Sequence, residues 1–265
     1  TAFNIAFNRN KVLELGGEEY KEMAEGDGHL KTGSVRRLIV GEPIGVFYGY
    51  RFDGIFQNEE ECKQQTSSAS PIGVGLRRYK DLNGDGVIDD YDKCLIGQGD
   101  VPKIYYGFGA DLQLGDFSVG ALFAGNAKAD RCLGGNAMYP FNDGSGITNL
   151  FANITDRWSA DNPTNQDVFY PRLHHGNNAN QNNMKTSTWW QKDVSFLRLK
   201  QLTIAYQLPK KLINQTFLKS ARIYVMGTNL LTFSKFKLWD PELNTNNGTA
   251  YPNVRTYSVG VNVSF

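Results

Sequence analysis

The last nine residues of the chain alternate strictly between apolar and polar side chains. The apolar set is Tyr257, Val259, Val261, Val263 and Phe265, and the intervening set is Ser258, Gly260, Asn262 and Ser264. Successive side chains of a β-strand point to opposite sides, so this order predicts a strand with one apolar and one polar face. A chain built from such segments is expected to be all-β.

The same alternation recurs upstream and predicts a hairpin and a bulged strand. Residues 106–114 and 117–123 alternate on either side of the short turn Gly115-Asp116, which is typical of a β-hairpin. Residues 197–208 alternate with a shift of one residue at Lys200-Gln201, as a β-bulge would allow. Pro209 ends this run, because proline cannot donate a ladder hydrogen bond.

Three further segments complete the expected strands. Residues 221–229 form one, and the preceding connection, residues 210–220, is expected to include a short helical turn. Residues 34–41 and 44–56 are expected to form an earlier pair, split by Pro43. The total is roughly nine or ten strands.

The connections between these strands differ greatly in length. The turn at Gly115-Asp116 is tight, whereas residues 57–100 and 125–193 form long stretches rich in Asn, Gly, Ser and charge. Short turns at one end and long loops at the other are typical of an outer-membrane β-barrel. A β-sandwich stays open as the alternative, because alternation alone does not say whether the apolar face meets lipid or a second sheet.

Composition limits the partners but does not exclude a membrane. The net charge of +1 argues against nucleic acid as a partner. Mean hydropathy is −0.42, and the chain has no apolar run near the ~20 residues that a spanning helix needs. A spanning strand needs only about 9–11 residues and leaves every second side chain polar, so a membrane barrel is compatible with these values.

Residues 81–92 match the twelve-residue calcium loop of EF-hands. Oxygen donors stand at loop positions 1, 3, 5, 9 and 12, Gly86 occupies the sharp turn at position 6, and Ile88 is expected to pack inward. The candidate ligands are Asp81, Asn83, Asp85, Asp89 and Asp92, with the carbonyl of Val87. Asp replaces the usual Glu at position 12, and flanking helices are not evident, which favours a free-standing calcium loop. The alternative is a loop of Asx turns that needs no ion.

No set of residues predicts catalysis, so the chain is not expected to be an enzyme. The adjacent pair His174-His175 has no third ligand at a useful spacing. The cysteines Cys62, Cys94 and Cys132 are far apart and form no CxxC motif. Their spacing leaves open either one disulfide with one free thiol or three free thiols.

Seven segments, in this order, resemble the SusC/RagA-like TonB-dependent outer-membrane transporters of Bacteroidetes. They are residues 41–50 (GEPIGVFYGY), 53–56 (DGIF), 79–89 (YKDLNGDGVID), 102–109 (PKIYYGFG), 196–209 (FLRLKQLTIAYQLP), 221–230 (ARIYVMGTNL) and 239–242 (WDPE). The ordered set covers most of the chain, and its motifs are specific.

The resemblance implies an antiparallel transmembrane β-barrel. Residues 1–265 would be its C-terminal portion, about ten strands of a 22-stranded barrel with long extracellular loops. The plug domain, the earlier strands and the region that couples to TonB would lie outside this sequence, so the remaining part of the barrel is an expected partner. The terminal strand, with Tyr257, Val259, Val261, Val263 and Phe265, fits the aromatic C-terminal signal that the outer-membrane assembly machinery recognises.

The resemblance also implies a function, a partner and a location. Members of this family import oligosaccharides or peptides across the bacterial outer membrane, driven through TonB, and a SusD/RagB-like lipoprotein covers their extracellular loops. The expectation is therefore a segment of such a nutrient transporter, in contact with outer-membrane lipid. The alternative from another class is a secreted, calcium-stabilised β-sandwich that binds carbohydrate. No substrate-binding residue carries over, because no ligand motif of the family is matched here.

Overall fold

The computed structural model describes residues 1–15, 22–25, 36–67, 70–135, 138–141, 150–174, 181–214 and 216–265. The described strands are β1 (Ala2–Phe7), β2 (Glu22–Glu25), β3 (Arg36–Ile39), β4 (Val46–Gly49), β5 (Phe52–Ile55), β6 (Thr66–Ser67), β7 (Arg77–Tyr79), β8 (Val87–Ile88), β9 (Cys94–Ile96), β10 (Ile104–Leu114), β11 (Phe117–Ala127), β12 (Asp130–Cys132), β13 (Gln191–Asp193), β14 (Phe196–Gln207), β15 (Ser220–Ser234) and β16 (Thr256–Ser264). The described helices are α1 (Glu59–Lys63) and α2 (Lys210–Ile213), and 3₁₀ turns span Asp90–Asp92 and Ala152–Thr155. None of the described helices is long and apolar enough to cross a membrane.

Six long strands form one antiparallel sheet in the order β1-β10-β11-β14-β15-β16. The predicted hairpin is confirmed, since Leu114 pairs with Phe117 across the two-residue turn Gly115-Asp116. The predicted bulge is also confirmed, since the register of β14 against β15 shifts between Leu199 and Gln201. The predicted helical turn is α2. The sheet is therefore the open wall expected of part of a barrel.

The two faces of this sheet differ in polarity, as two neighbouring register rows show. One register row joins five apolar residues across five strands: Leu112, Val119, Ile204, Val225 and Val259. The neighbouring row, on the other face, joins Asp111, Gly120, Thr203, Met226 and Ser258. We call these the apolar face and the polar face. The five residues of the apolar row are 37–76% exposed, so no second sheet covers them in the described part of the chain. The sandwich alternative is therefore wrong.

Fewer strands belong to this sheet than expected. Six of the described strands form it, against about ten predicted, and the others form short sheets of two to four strands. Residues 44–56, predicted as one strand, are divided into β4 and β5, which lie in different sheets. The division occurs because the pairing of β4 with β9 ends at Gly49. The backbone of Tyr50 instead exchanges hydrogen bonds with Thr186 and Thr188. Residues 34–35 of the other predicted strand lie outside the described residues.

The long connections fold into a second body at one end of the sheet. We call it the loop layer, the described residues within 36–102, 129–195 and 235–255. Its main core contains Phe47, Ile96, Leu133, Met138, Tyr139, Tyr170, Met184, Trp190 and Phe236, which come from all three segments. The loop layer therefore has its own hydrophobic core. Its cysteines Cys62, Cys94 and Cys132 are all free, so of the two sequence alternatives the structure has three thiols.

Candidate functional site

A cavity of about 820 Å³ lies between the polar face and the loop layer. Its floor on β10 and β11 includes Gly107, Gly109 and Ala124, which leave room because they carry little or no side chain. Its polar lining includes Asn4, Tyr105, Asn126, Arg131, Glu242 and Asn244. A wide cavity with amide, hydroxyl and charged groups suits a ligand that forms many hydrogen bonds.

Two ionic groups flank this cavity. In the first, Arg131 Nη1 lies 3.9 Å from Asp100 Oδ2, and the same nitrogen donates a hydrogen bond to Asn244. Both charged side chains are at least four-fifths buried. Arg131 belongs to β12 and Asn244 to the last loop segment, so the contact joins two separate parts of the loop layer.

The second group ties the last loop segment to the sheet. Arg198 on β14 pairs with Asp240, and its Nη1 lies 3.0 Å from Glu242 Oε2. Lys200 Nζ lies 2.8 Å from both oxygens of Glu242, and Asn253 Nδ2 donates to Oε2 at 3.0 Å. We call this group the clamp. It holds residues 239–253 against the polar face beside the cavity.

Sequence reasoning missed the clamp although both of its halves lie in recognisable segments. Arg198 and Lys200 belong to the predicted bulged strand, and Asp240 and Glu242 to the short motif at 239–242. The available signal was two basic residues on one strand and two acidic residues in one tetrapeptide. Their pairing depends on the fold of the 235–255 segment, which no periodicity predicts.

The arginine Arg77 is fully buried in the loop layer. Arg77 lies below the indoles of Trp189 and Trp190, with its guanidinium carbon 4.8 and 4.1 Å from the ring centroids. Its Nη1 donates to the carbonyl of Asn183 at 2.7 Å. Burial lowers the pKa of Arg77 to about 9. Indole faces and a carbonyl thus surround this cation, and none of the described salt bridges includes it.

Lys192 lies near the same arginine. Its Nζ lies 4.8 Å from the ring centroid of Trp189. Burial and, to a smaller degree, the positive charge of Arg77 together lower the pKa of Lys192 to about 8. Two cations therefore share one aromatic site in the loop layer.

Side chains of the predicted calcium loop accept hydrogen bonds from backbone N–H groups of the same loop. Asp81 accepts hydrogen bonds from the N–H groups of Gly84 and Gly86 at 2.6 and 2.7 Å, and these bonds lower the pKa of Asp81. Asn83 and Asp85 each accept from the N–H two residues further on, as in Asx turns. Among the described residues, no group of three His, Cys, Asp or Glu is placed to hold a metal.

The C-terminal half of the loop is also held by its carboxylates. Asp92, fully buried, accepts from the N–H groups of Leu82 and Asp89 at 2.7 and 2.9 Å, and Asp89 accepts from Tyr91 at 2.8 Å. Val87 lies in β8 and pairs with Thr66. Ile88 is buried against Tyr50 and Tyr79, which confirms its predicted inward packing. Calcium binding by Asp81, Asn83, Asp85, Val87, Asp89 and Asp92 stays a prediction.

The terminal strand lies at an edge of the sheet. Tyr257, Val259, Val261, Val263 and Phe265 share the apolar face and are all exposed. The ring of Phe265 stacks on Phe217 with 5.7 Å between centroids. Recognition of this strand by the assembly machinery stays a prediction. Of the pair His174-His175, the second residue lies outside the described residues.

Comparison with known proteins gives relatives over the whole chain. No family model matches the sequence. Two receptors of Formosa agariphila, TonB-dependent receptor P3 and TonB-dependent receptor P26, are 31% and 33% identical over 100% and 98% of the chain. The chain spans about a quarter (26%) of the length of each.

Solved structures have the same fold. The RagAB peptide transporter superposes on 99% of the chain with a TM-score of 0.74 at 24% identity, and the chain covers 27% of that protein. The RagAB peptide importer in its closed-closed state gives a TM-score of 0.72 at 25% identity, again over 99% of the chain and 27% of that protein. The open sheet therefore corresponds to part of a transporter barrel.

Proposed function

Because the chain belongs to the SusC/RagA-like TonB-dependent receptors, we propose that it forms part of the wall and the extracellular loops of a nutrient importer in the bacterial outer membrane. The apolar face of the sheet carries this proposal. Lipid offers no hydrogen-bond partner to a backbone, so a membrane accepts strands only in a closed barrel with an apolar outside. The remaining part of the receptor would close the barrel from the free edges of β1 and β16.

Two adjacent residues of β15 test this proposal in the full-length receptor. Val225 lies on the apolar face and Met226 on the polar face. An arginine facing lipid near the bilayer midplane costs about 2–4 kcal/mol, whereas one facing the lumen does not. We expect Val225→Arg to lower the amount of heat-modifiable barrel in outer-membrane fractions and Met226→Arg to leave it near the wild-type level. Equal amounts of the two variants would contradict the proposal.

The nutrient would enter through the loop layer and the cavity below it. The relatives are named as receptors and a transporter, so the proposal needs no catalytic step. Hydrogen-bonding and charged groups around the cavity favour a polar oligomer, either an oligosaccharide or a peptide. The RagAB structures, which are of a peptide transporter, support the second class. Growth of a receptor deletion strain with an oligosaccharide or a peptide as the sole nutrient source would assign the substrate class. Uptake is expected to stop when the receptor is uncoupled from TonB.

We also propose that a SusD/RagB-like lipoprotein covers the loop layer. The loop layer has its own core and so offers a firm surface, and the RagAB complexes share this fold. Tyr91 in this layer is 81% exposed. A photo-crosslinking amino acid at Tyr91 is expected to capture the lipoprotein in whole cells, and one at Leu212, at the other end of the sheet, is not. Capture at both positions or at neither would count against this partner.

A further inference from the structure

A cationic and aromatic patch occupies the corner of the sheet opposite the loop layer. Residues 208–220, which connect β14 to β15, contain three lysines and no Asp or Glu. The patch, which we call the rim patch, consists of Lys210, Lys211, Leu212, Phe217, Lys219 and Phe265. Its apolar members are well exposed, with Leu212 at 58%, Phe217 at 80% and Phe265 at 66%. Its lysines are exposed as well.

Local hydrogen bonds give the rim patch a fixed shape. α2 follows Pro209, and Thr216 Oγ1 donates to the carbonyl of Ile213 at 2.8 Å. The N–H of Leu208 donates to the carbonyl of Ala221 at 2.9 Å, which brings both ends of the connection together. The exposed rings are therefore presented by a folded turn.

The rim patch continues the apolar face past the ends of the strands. The N–H of Lys219 donates to the carbonyl of Ser264 at 2.7 Å, so Lys219 extends the pairing of β15 with β16. Alternation places Lys219 on the same side as Ile223, and Phe265 on the same side as Val263. The rings of Phe217 and Phe265 stack with only 5° between their planes. Aromatic rings and a lysine thus border the apolar face at this end.

This chemistry matches the boundary between hydrocarbon and headgroups. Aromatic rings concentrate at that depth, and lysines reach from it to the charged surface with their stems along the apolar region. The other turn at the same end, Gly115-Asp116, carries a carboxylate and no base. Of these two turns in the described part of the chain, only the β14–β15 connection therefore carries lysines.

We propose that the rim patch binds anionic phospholipid headgroups on the periplasmic side of the membrane. The inference rests on the proposed function, because it requires the apolar face to meet lipid. Charge complementarity and continuity with the apolar face argue for this occupant. A lysine near an anionic surface contributes on the order of a fivefold gain in affinity, so three lysines would select phosphatidylglycerol over phosphatidylcholine clearly.

The experiment uses the full-length receptor, delipidated in detergent and examined by native mass spectrometry with defined lipids added. The wild-type protein is expected to retain phosphatidylglycerol at least tenfold more than phosphatidylcholine. The triple variant Lys210→Gln, Lys211→Gln, Lys219→Gln is expected to lose this preference. A matched variant, Lys80→Gln, Lys235→Gln, Lys237→Gln, removes the same charge from exposed sites in the loop layer and is expected to keep it.

Two results would overturn the rim patch as a lipid site. One is equal retention of the two lipids by the wild-type protein, and the other is an unchanged preference in the rim variant. Insertion of the receptor into phosphatidylcholine nanodiscs is scored separately. A receptor that inserts there without selecting phosphatidylglycerol refutes the rim patch alone, whereas a receptor that does not insert refutes the proposed function.

Discussion

Arg198 on the sheet and Glu242 in the last loop segment form an ion pair with 3.0 Å between Nη1 and Oε2. Arg198 is only 1% exposed, and its other carboxylate partner is Asp240, which lies two residues before Glu242 in the same loop segment. A buried cation that lies beside two carboxylates fixes the path of residues 239–253 over the polar face.

Loss of Arg198 should release this segment. Arg198→Met leaves Asp240 and Glu242 without their buried partner, and breaking such a pair costs on the order of 3 kcal/mol. We expect faster tryptic cleavage after Lys235 and Lys237 in the full-length receptor. Lys200→Gln removes the more exposed partner of Glu242, for which about 0–1 kcal/mol is expected, and serves as the control. Similar cleavage of the two variants would show that the clamp does not hold the segment.

The loop layer should become more stable as pH rises from about 8 to 10. The pKa of Lys192 is about 8 in the folded chain and 10.5 ordinarily, so between these values the unfolded chain binds a proton that the folded chain does not. Stability rises with pH wherever the unfolded state binds more protons. Above pH 10 this gain is opposed, because burial raises the pKa of Tyr79 and Tyr170 to about 12, so the folded chain keeps protons that the unfolded chain has lost.

Urea titrations followed by tryptophan fluorescence at pH 7.5 to 10 measure this dependence. Lys192→Met is expected to reduce the slope without abolishing it, since burial also lowers the pKa of Lys185 to about 8. Lys80→Met, at an exposed site, is expected to retain the wild-type slope. An unchanged slope of unfolding free energy against pH in Lys192→Met would exclude this lysine as a source of the pH dependence.

Calcium should protect residues 81–92 from proteolysis. Four of the candidate ligands are carboxylates that repel one another, and a divalent cation would neutralise them. Cleavage within the loop is expected to slow in calcium relative to excess chelator. Asp85→Asn should weaken the protection and Asp53→Asn, outside the loop, should not. Identical cleavage in calcium and in chelator would leave the Asx-turn alternative.

The C-terminal aromatic should matter for assembly beyond its stacking. Phe265→Ala and Phe217→Ala both remove the ring pair, but only Phe265→Ala removes the terminal aromatic. We expect Phe265→Ala to lower the level of assembled receptor in outer-membrane fractions several times more than Phe217→Ala. Equal losses of assembled receptor in the two variants would show that the stacking of Phe217 on Phe265, and not the terminal aromatic, supports assembly.

The long strands could be predicted because their information is local. The turn at Gly115-Asp116, the bulge at Lys200 and the helical turn after Pro209 all follow from alternation or from single residues that interrupt it. The family followed in the same way, from motifs that occur in order along the chain. Each of these signals lies within a few neighbouring residues.

The loop layer could not be predicted because its contacts are distant in sequence. The indole of Trp190 covers Arg77, and the backbone of Tyr50 pairs with Thr186 and Thr188. The residues around Arg77 give no sign that its charged side chain will be only 1% exposed. The clamp escaped prediction for the same reason, while the calcium loop was found because its motif is continuous.

The bulge at Lys200 also changes how β14 responds to the loss of a residue. A deletion of Lys200 itself would leave unbroken alternation from Leu197 to Tyr206, so every remaining side chain would keep its face. A deletion at Thr203 could be absorbed by flattening the bulge, and only Gln201 and Leu202 would exchange faces. The eleven residues of β10 pair without a bulge. Loss of one residue there would therefore move every following side chain of the strand to the opposite face of the sheet.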